Sequence, residues 1–521
     1  MNIGRILTKS ARSFPCRRAI VQGDRQQNYA QFNTRANRLA NALLTLGIKK
    51  SDHVSVLMYN CPQMLESIFA CFKVGAAVVP INFRLHPREF SYIINHSKSK
   101  VVLTSFEFLK GLVDVREDIP HAKHLVSINQ AESGFLDYET LLAVEADLFE
   151  DAEVEPDDVA WLFYTSGTTG SPKGAMLTHR NLLAMTSSFY ADMIPGCSPD
   201  DVILHAAPLS HGSGLYSLPN IAKAAFNVIP ENTSFIAEDV LELIERYGVT
   251  NLFAAPTMIK LLLDSRGIDK RDLSTIKALM YGGAPMLIED MKEALRKIGP
   301  RLVQLYGQGE SPMTITYLSH LDHMLDGTVD QMARLGSAGI PRTEVEVKIV
   351  DDDDNEVEPG VIGEITTRSD LVMKGYWCDA EATNKVLRNG WLHTGDVGYM
   401  DDHGYVFLMD RSKDLIISGG ENIYPREVEE VLIQHPDVRE VAVVGIPDPK
   451  WGEAVMAIVV TVPGATLTQV ELIDFCKAYL ASYKKPRSVN FLHELPKNNY
   501  GKILKRELRD QFWKGKDRRI V

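Results

Sequence analysis

Tyr164-Thr165-Ser166-Gly167-Thr168-Thr169-Gly170-Ser171-Pro172-Lys173-Gly174 follows directly on the apolar run Val159 to Phe163. The run has the length and composition of a buried strand. The glycines behind it let backbone approach an anion closely, and the hydroxyls donate to phosphate-type oxygens. Lys173 adds a positive charge on a long stem. The spacing is not that of a Walker A loop, because Gly174 stands after the lysine where a metal-binding hydroxyl is needed. A stretch rich in Ser, Thr and Gly is ordinarily only a loop. The strand lead-in, the hydroxyl density and the lysine favour a phosphate-binding loop here.

Outward from this loop, the first part of the chain alternates two periodicities. Tyr29 to Leu46 reads as an amphipathic helix with Phe32, Ala36, Leu39, Ala40 and Leu43 on one face. His53 to Met58 alternates as a strand, Pro62 to Val74 returns to the helical period, and Ala76 to Val79 is a short buried strand. Such succession predicts parallel sheets covered by helices, and it recurs to about residue 310. From about residue 335 the texture changes. Val345 to Val350 and Gly363 to Thr367 read as antiparallel strands around an acidic turn, Asp351 to Asp354. Beyond Asp410 come a strand, a helix Pro425 to Gln434, strands Val441 to Gly445 and Ala454 to Val462, and a helix Gln469 to Tyr479. The predicted fold is therefore α/β. A large N-terminal domain (1–409) carries parallel-rich βαβ sheets and a small β-barrel-like region, and a small mobile α+β domain (410–521) follows.

The composition excludes several classes. Of 521 residues, 45% are hydrophobic and 24% charged, as in globular proteins. Against 56 basic residues stand 68 acidic ones, a net charge of -12, which gives no broad attraction to nucleic acid. Anionic substrates must be held by local donors. The six cysteines form no CxxC pair, which points to reduced thiols in the cytoplasm. The N-terminus lacks the apolar run of a signal peptide. The longest apolar stretch, Ile68 to Phe83, is broken by Lys73 and Pro80, so no transmembrane segment is expected. The sequence leaves the number of copies open, a homo-oligomer included.

The undecapeptide resembles the phosphate loop of the adenylate-forming (AMP-binding) superfamily, and further motifs of that family stand in its order along the chain. They are Pro208 to Gly214, Tyr281-Gly282-Gly283-Ala284-Pro285, Tyr306-Gly307-Gln308-Gly309-Glu310, Gly390 to Asp396, Asp410 to Asp414, Ile417 to Pro425 and Pro496 to Lys502. The resemblance is to the acyl-CoA synthetase type, the fatty-acid or aromatic-acid CoA ligases. It implies ATP, Mg2+ and CoA as cofactor and co-substrates. It also implies adenylation of a hydrophobic carboxylic acid, then thioester formation with release of AMP and pyrophosphate.

The resemblance carries roles to single residues. Thr165, Ser166, Gly167, Thr168, Thr169, Gly170 and Lys173 would hold phosphates. Gly282, Gly283 and Ala284 would flank the purine, with Tyr306, Gly307, Gln308 and Gly309 beside it and Tyr306 offering a stacking face. Asp396 would accept from the ribose hydroxyls, as a carboxylate suits a cis-diol, with Arg411 assisting. Glu310 would hold the metal, Lys502 would reach the carboxylate and the α-phosphate, and His211 would line the acyl pocket and gate it. Lys413 would be the hinge, and Gly419, Gly420 and Glu421 would face the thiol. The pocket is expected among His211, Leu215, Tyr216, Pro256, Met258, Tyr281, Gly283, Gln308, Gly309 and Met313. Gly309 departs from the family's usual threonine, which predicts a lost donor and open space beside the reacting carboxylate.

Rival readings share these motifs. A carrier-loading adenylation enzyme is one, although nineteen residues after Lys502 hold no fused carrier domain. A luciferase-like monooxygenase is another. A non-catalytic nucleotide-binding regulator is disfavoured by Lys173, Glu310, Asp396, Arg411 and Lys502 all being present.

Overall fold

The computed structural model describes residues 1–129, 132–165, 172–284, 286–411, 414–418, 421–497 and 502–514, with backbone alone at 410, 411 and 422. Four sheets organise these residues. A seven-stranded sheet has parallel strands His53–Leu57, Ala77–Pro80, Val101–Ser105 and Val159–Thr165 at its centre and Lys173–Thr178 antiparallel at one edge. A nine-stranded sheet carries parallel Val202–Leu204, Asn251–Ala254, Ala278–Tyr281 and Leu302–Gln308, with Ser311–Leu318 folded back antiparallel. Every residue of His53–Leu57 and of Ala278–Tyr281 is buried, as strands covered on both faces require.

The two sheets share one core. Val54, Val78, Trp161 and Phe163 from one meet Ile203, Met280 and Val303 from the other, with the helices Tyr29–Thr45, Pro62–Val74 and Gly212–Ala222 contributing to the same cluster. All thirteen residues of Pro62–Val74 are buried, Gln63, Glu66, Ser67 and Lys73 among them. Its two charges are paired, as burial demands. Glu66 accepts from Arg35 Nε, Gln27 Nε2 and the Tyr138 hydroxyl, each at 2.7 Å. Lys73 Nζ reaches Asp151 Oδ1 at 3.0 Å and Thr8 Oγ1 at 2.6 Å.

A third, antiparallel sheet holds Glu346–Val350, Gly363–Arg368, Trp391–Met400 and Val406–Arg411. The acidic run Asp351 to Asp354 is the turn expected, with Asp351 Oδ1 accepting from the amides of Asp353 and Asn355. The fourth sheet begins at Ile416–Ser418 and is built around the long pair Val438–Asp448 and Gly452–Thr461, flanked by helices Pro425–Leu432 and Gln469–Lys477. The third sheet's last strand ends at Arg411 and the fourth sheet's first begins at Ile416. Arg426 and Glu430 reach from the fourth sheet's first helix to the earlier part of the chain. Arg426 Nη1 donates to the Leu408 carbonyl at 3.2 Å and Nη2 to the Gly336 carbonyl at 3.5 Å. Glu430 Oε2 accepts from the Ile288 amide at 3.3 Å, the first residue of helix Ile288–Ile298.

Three buried histidines predict an acid-sensitive core. Burial pushes His179, His205 and His323 down to about 4. His205 bonds Ser213 Oγ at 2.8 Å and Asn227 Oδ1 at 3.0 Å, and His323 bonds the Tyr281 hydroxyl at 2.9 Å. In the unfolded chain each titrates near about 6.5, so between that pH and about 4 the unfolded state binds the extra protons. Stability from these groups is full above about 6.5 and is lost as pH falls, by about 1.4 kcal/mol per pH unit for each histidine. The urea midpoint should be flat from neutral to mildly alkaline pH and drop steeply below it. A midpoint that stays level down to pH ~5 would sink this account.

Candidate active site

The site lies where the carboxyl ends of the two large sheets meet, the place that open α/β sheets offer to ligands. Val159–Thr165 delivers Thr165 from one sheet, and the hairpin Leu302–Gln308/Ser311–Leu318 delivers residues 306 to 310 from the other. A bulge at Gln308, which pairs with both Ser311 and Pro312, turns the hairpin there.

Glu310 stands on this turn. Its Oε1 accepts from the Tyr376 hydroxyl at 2.6 Å and lies 3.5 Å from Thr165 Oγ1, while its carbonyl accepts from the Met373 amide at 2.8 Å. Burial, and then the Glu310 charge, raise the Tyr376 phenol, which keeps it a donor. Oε2 of Glu310 has no hydrogen-bond partner among the described residues. Among those residues no three His, Cys, Asp or Glu side chains gather into a metal cage. A lone carboxylate with one oxygen braced is the donor set that suits Mg2+, which takes one or two carboxylates and completes its shell with substrate phosphates and water. Lys173, across the loop from Thr165 in strand pairing, lies 5.2 Å from the Tyr376 ring centre and 3.8 Å from Asp379 Oδ2.

A second edge forms around Asp396 on Trp391–Met400. Its Oδ2 accepts from the Tyr306 hydroxyl at 2.9 Å and Gln308 Nε2 at 2.7 Å, and Gln308 also donates to the Thr394 carbonyl at 2.8 Å. The Tyr306 ring packs with Ile315, Ala338, Ile349, Ile365 and Val406 and is only 8% exposed. Its clearest contribution to the site is thus a hydroxyl that orients Asp396, beyond the stacking face expected of it. Arg411 pairs with Asp396 through the backbone of adjacent strands.

Gly282 and Gly283 follow the strand Ala278–Tyr281. A Cβ at Gly282 would stand 2.3 Å from the Leu305 carbonyl oxygen, so only glycine lets these strand ends lie together. Gly283 is exposed and has a φ of 80°, and Ala284 is half-buried beside it.

Phe163, His211, Gly212, Phe253 and Met313 make an apolar wall next to Thr165. The His211 ring meets the Phe163 ring edge-on at 4.8 Å. His211 is the N-cap residue of helix Gly212–Ala222 but its side chain makes no capping bond. Burial pushes its imidazole down to about 4, so it is neutral at physiological pH. A Cβ at Gly212 would be 2.7 Å from the Met313 sulfur and 3.4 Å from the Phe253 ring. Met313 itself holds a left-handed φ of 59°, unusual for a side-chain-bearing residue.

Two sequence expectations change. Gly309 does not leave open space: a Cβ there would stand 2.3 Å from Thr165 Cγ2 and 2.8 Å from Phe163 Cδ1, so both side chains already fill it. Tyr281 does not line this wall, because strand alternation turns it to the opposite core, where its hydroxyl meets Gln304 and His323. Glu421 is exposed on strand Glu421–Ile423 of the fourth sheet, paired with Ser418 of the preceding strand. Lys502 is half-buried, next to Ile503, whose bridge partner is Lys497. Ser166, Gly167, Thr168, Thr169, Gly170, Lys413, Gly419 and Gly420 lie outside the described residues.

Sequence reasoning missed Tyr376, Asp379 and Phe163. Phe163 was within reach, since it shares a strand face with Thr165 at a spacing of two. Tyr376 carried no such signal, because its partner is distant in the chain.

Comparison with known proteins places this geometry. The AMP-binding enzyme family profile matches residues 7–377, and that of the AMP-binding enzyme C-terminal domain matches residues 427–502. A feruloyl-CoA synthase of Amycolatopsis sp is 37% identical, covering 97% of this chain and 98% of its own. The fatty acid–[acyl-carrier-protein] ligase ScoC of Streptomyces coeruleorubidus is 34% identical, covering 97% of this chain and 95% of its own. The crystal structure of the anthranilate CoA ligase AuaEII with anthranoyl-AMP superposes with a TM-score of 0.90 at 28% identity, over 98% of this chain and 97% of that one. Among the described residues no helix is long and apolar enough to cross a membrane.

Proposed function

The chain belongs to the AMP-binding enzyme family, and on that premise we propose that it is an AMP-forming acid–thiol ligase for hydrophobic carboxylic acids, with ATP and coenzyme A as co-substrates. In the first half-reaction a carboxylate oxygen attacks the α-phosphorus of ATP, the bond to pyrophosphate breaks, and an acyl-adenylate forms. In the second the thiol sulfur attacks the acyl carbon, its proton is released, and AMP departs from the thioester.

The observation that carries this reading is the meeting of two polar edges on one hairpin. Glu310, braced by Tyr376, is at its turn, and Asp396, braced by Tyr306 and Gln308, is beside its first strand. Asp396 with Arg411 would receive the ribose, the loop from Thr165 to Lys173 the phosphates, and Gly282 to Ala284 the purine. Glu310 would hold Mg2+, which supplies charge neutralisation on the phosphates. Lys502 would neutralise the two anions as they meet. Rotation about Lys413 would then exchange Lys502 for the segment Gly419 to Glu421, so that one site serves both steps.

The apolar wall of Phe163, His211, Phe253 and Met313 supports a fatty or aromatic acid, and the neutral His211 adds no charge there. All six cysteines are free, which supports a cytoplasmic setting. The likeness to ScoC favours a second acceptor, the phosphopantetheine thiol of a carrier protein. Acid-dependent pyrophosphate release over a panel of fatty, aromatic and alicyclic acids tests the first step. AMP formation without a thiol, with CoA, and with a phosphopantetheinylated carrier protein tests the second. No acid-dependent pyrophosphate from any acid would overturn the reading, and stimulation by the carrier alone would replace CoA as acceptor.

A further inference from the structure

Arg342 is only 1% exposed and lies beside the strand that carries Met313, where its amide donates to the Ile315 carbonyl at 3.2 Å. Its Nη1 donates to Ser188 Oγ at 3.2 Å, while Nε and Nη2 have no hydrogen-bond partner among the described residues. Those two nitrogens share one edge of the guanidinium, the edge that meets a carboxylate through two parallel N–H···O bonds. Asp192, one helical turn after Ser188, is otherwise engaged: it accepts from the Thr343 hydroxyl at 2.6 Å and from the Thr343 amide at 3.1 Å. Glu344, whose carboxyl also feels Arg342, is exposed. Tyr216 is fully buried, and its hydroxyl too has no hydrogen-bond partner among the described residues. Burial pushes this phenol up to about 12 against the opposing pull of Arg342, so it stays a donor. A buried charge is costly unless an opposite charge meets it, and a methionine would fill similar space without that cost.

These donors stand behind the apolar wall. The Tyr216 ring centre is 6.0 Å from that of Phe253, and the Phe253 ring is the one that faces Gly212 beside Met313. Tyr216 comes five residues after His211 on helix Gly212–Ala222, about 7.5 Å further along its axis. We propose that Arg342 and Tyr216 bind a second carboxylate at the far end of the acyl substrate, so that the acid is a diacid with an apolar body between its two carboxylates. The reacting carboxylate lies at the Glu310 end, the body runs along Phe253 and Met313, and the distal carboxylate supplies the charge that Arg342 lacks. This inference rests on the proposed adenylation reading and narrows its class of hydrophobic acids.

Matched acids test it: octanoic against suberic acid, and cinnamic against 4-carboxycinnamic acid. Each is measured by ATP–pyrophosphate exchange and by calorimetric binding. In the wild type the diacid of at least one pair should exceed its monoacid about 100-fold in kcat/KM, because the monoacid leaves buried donors unpaired. Arg342→Met should take about 100-fold from that diacid and leave the monoacid nearly unchanged, and Tyr216→Phe should take about tenfold from the diacid alone. A merely structural Arg342 moves both members of the pair together, and that result overturns the inference. A wild-type preference for the monoacids, or for 4-hydroxycinnamic over 4-carboxycinnamic acid, overturns it as well. Should Arg342→Met fail to fold, as circular dichroism would reveal, Tyr216→Phe and the wild-type ratio decide. Failure of the adenylation reading looks different: the diacid then binds in preference to its monoacid while no acid supports exchange. Neither preferential binding nor exchange would overturn both.

Discussion

Lys502→Ala is expected to slow acyl-adenylate formation about 100- to 1,000-fold, while thioester formation from supplied acyl-adenylate falls by less than about threefold. The first step brings a carboxylate against a triphosphate in a protein whose net charge is -12. The charge needed there has to be local. Lys173 lies near Asp379 and the Tyr376 ring, so part of its charge is already answered within the structure. A second cation is then required for the attack on phosphorus, and Lys502 is the one the sequence motif supplies. The attack on the acyl carbon brings a thiol to a mixed anhydride that carries a single phosphate charge, so no carboxylate has to approach a triphosphate in that step. ATP–pyrophosphate exchange reads the first step, and thioester formation from synthetic acyl-adenylate reads the second. Wild-type exchange by the variant, or equal loss in both assays, would remove Lys502 from this role.

Glu310→Gln should lower adenylation about 100-fold at ordinary magnesium and raise the Mg2+ needed for half-activity about tenfold or more, with little change in melting temperature. The amide keeps an oxygen that can accept from Tyr376, so the 2.6 Å contact survives the change. What is lost is the carboxylate charge, which its other oxygen shares without a hydrogen-bond partner among the described residues. Tyr376→Phe makes the complementary change, keeping the charge and releasing the brace, and should cost about tenfold. A magnesium titration of the three proteins side by side distinguishes them. If Glu310→Gln needs no more magnesium than the wild type, the carboxylate is structural and the metal lies elsewhere.

Much of this architecture was legible from local pattern. The helix Pro62–Val74 has the limits its helical period predicted, and the helix from Tyr29 ends within one residue of its expected limit. The strand at His53 was read as alternating, whereas all of His53–Leu57 is buried because helices cover both faces of its sheet. What could not be read was contact across sheets. Glu310 was recognised from its turn, but Tyr376, which orients it, is brought back by the packing of a separate segment. Gly309 was seen as a missing side chain, and sequence offered no way to learn that Thr165 and Phe163 occupy its volume. Tyr281 was misplaced because its motif was read as a patch, when the alternation of its own strand sends it to the other core.

The clasp formed by Arg426 and Glu430 has a lopsided chemistry. On one side it uses two charged side chains, and on the other only peptide groups: the carbonyls of Leu408 and Gly336 and the amide of Ile288. A peptide group is the same whichever amino acid carries it, so the receiving half of this contact is inherited with the path of the chain and not with its spelling. Drift at positions 288 or 408 leaves the recognition intact, whereas a change at 426 or 430 erases it at once. Amide hydrogen exchange makes the asymmetry measurable. Slow exchange at residue 288 should persist in Ile288→Val and quicken about tenfold in Glu430→Ala, in keeping with the loss of one hydrogen bond to a charged acceptor. Equal rates in the two variants would mean that the helix end is held by its own first turn.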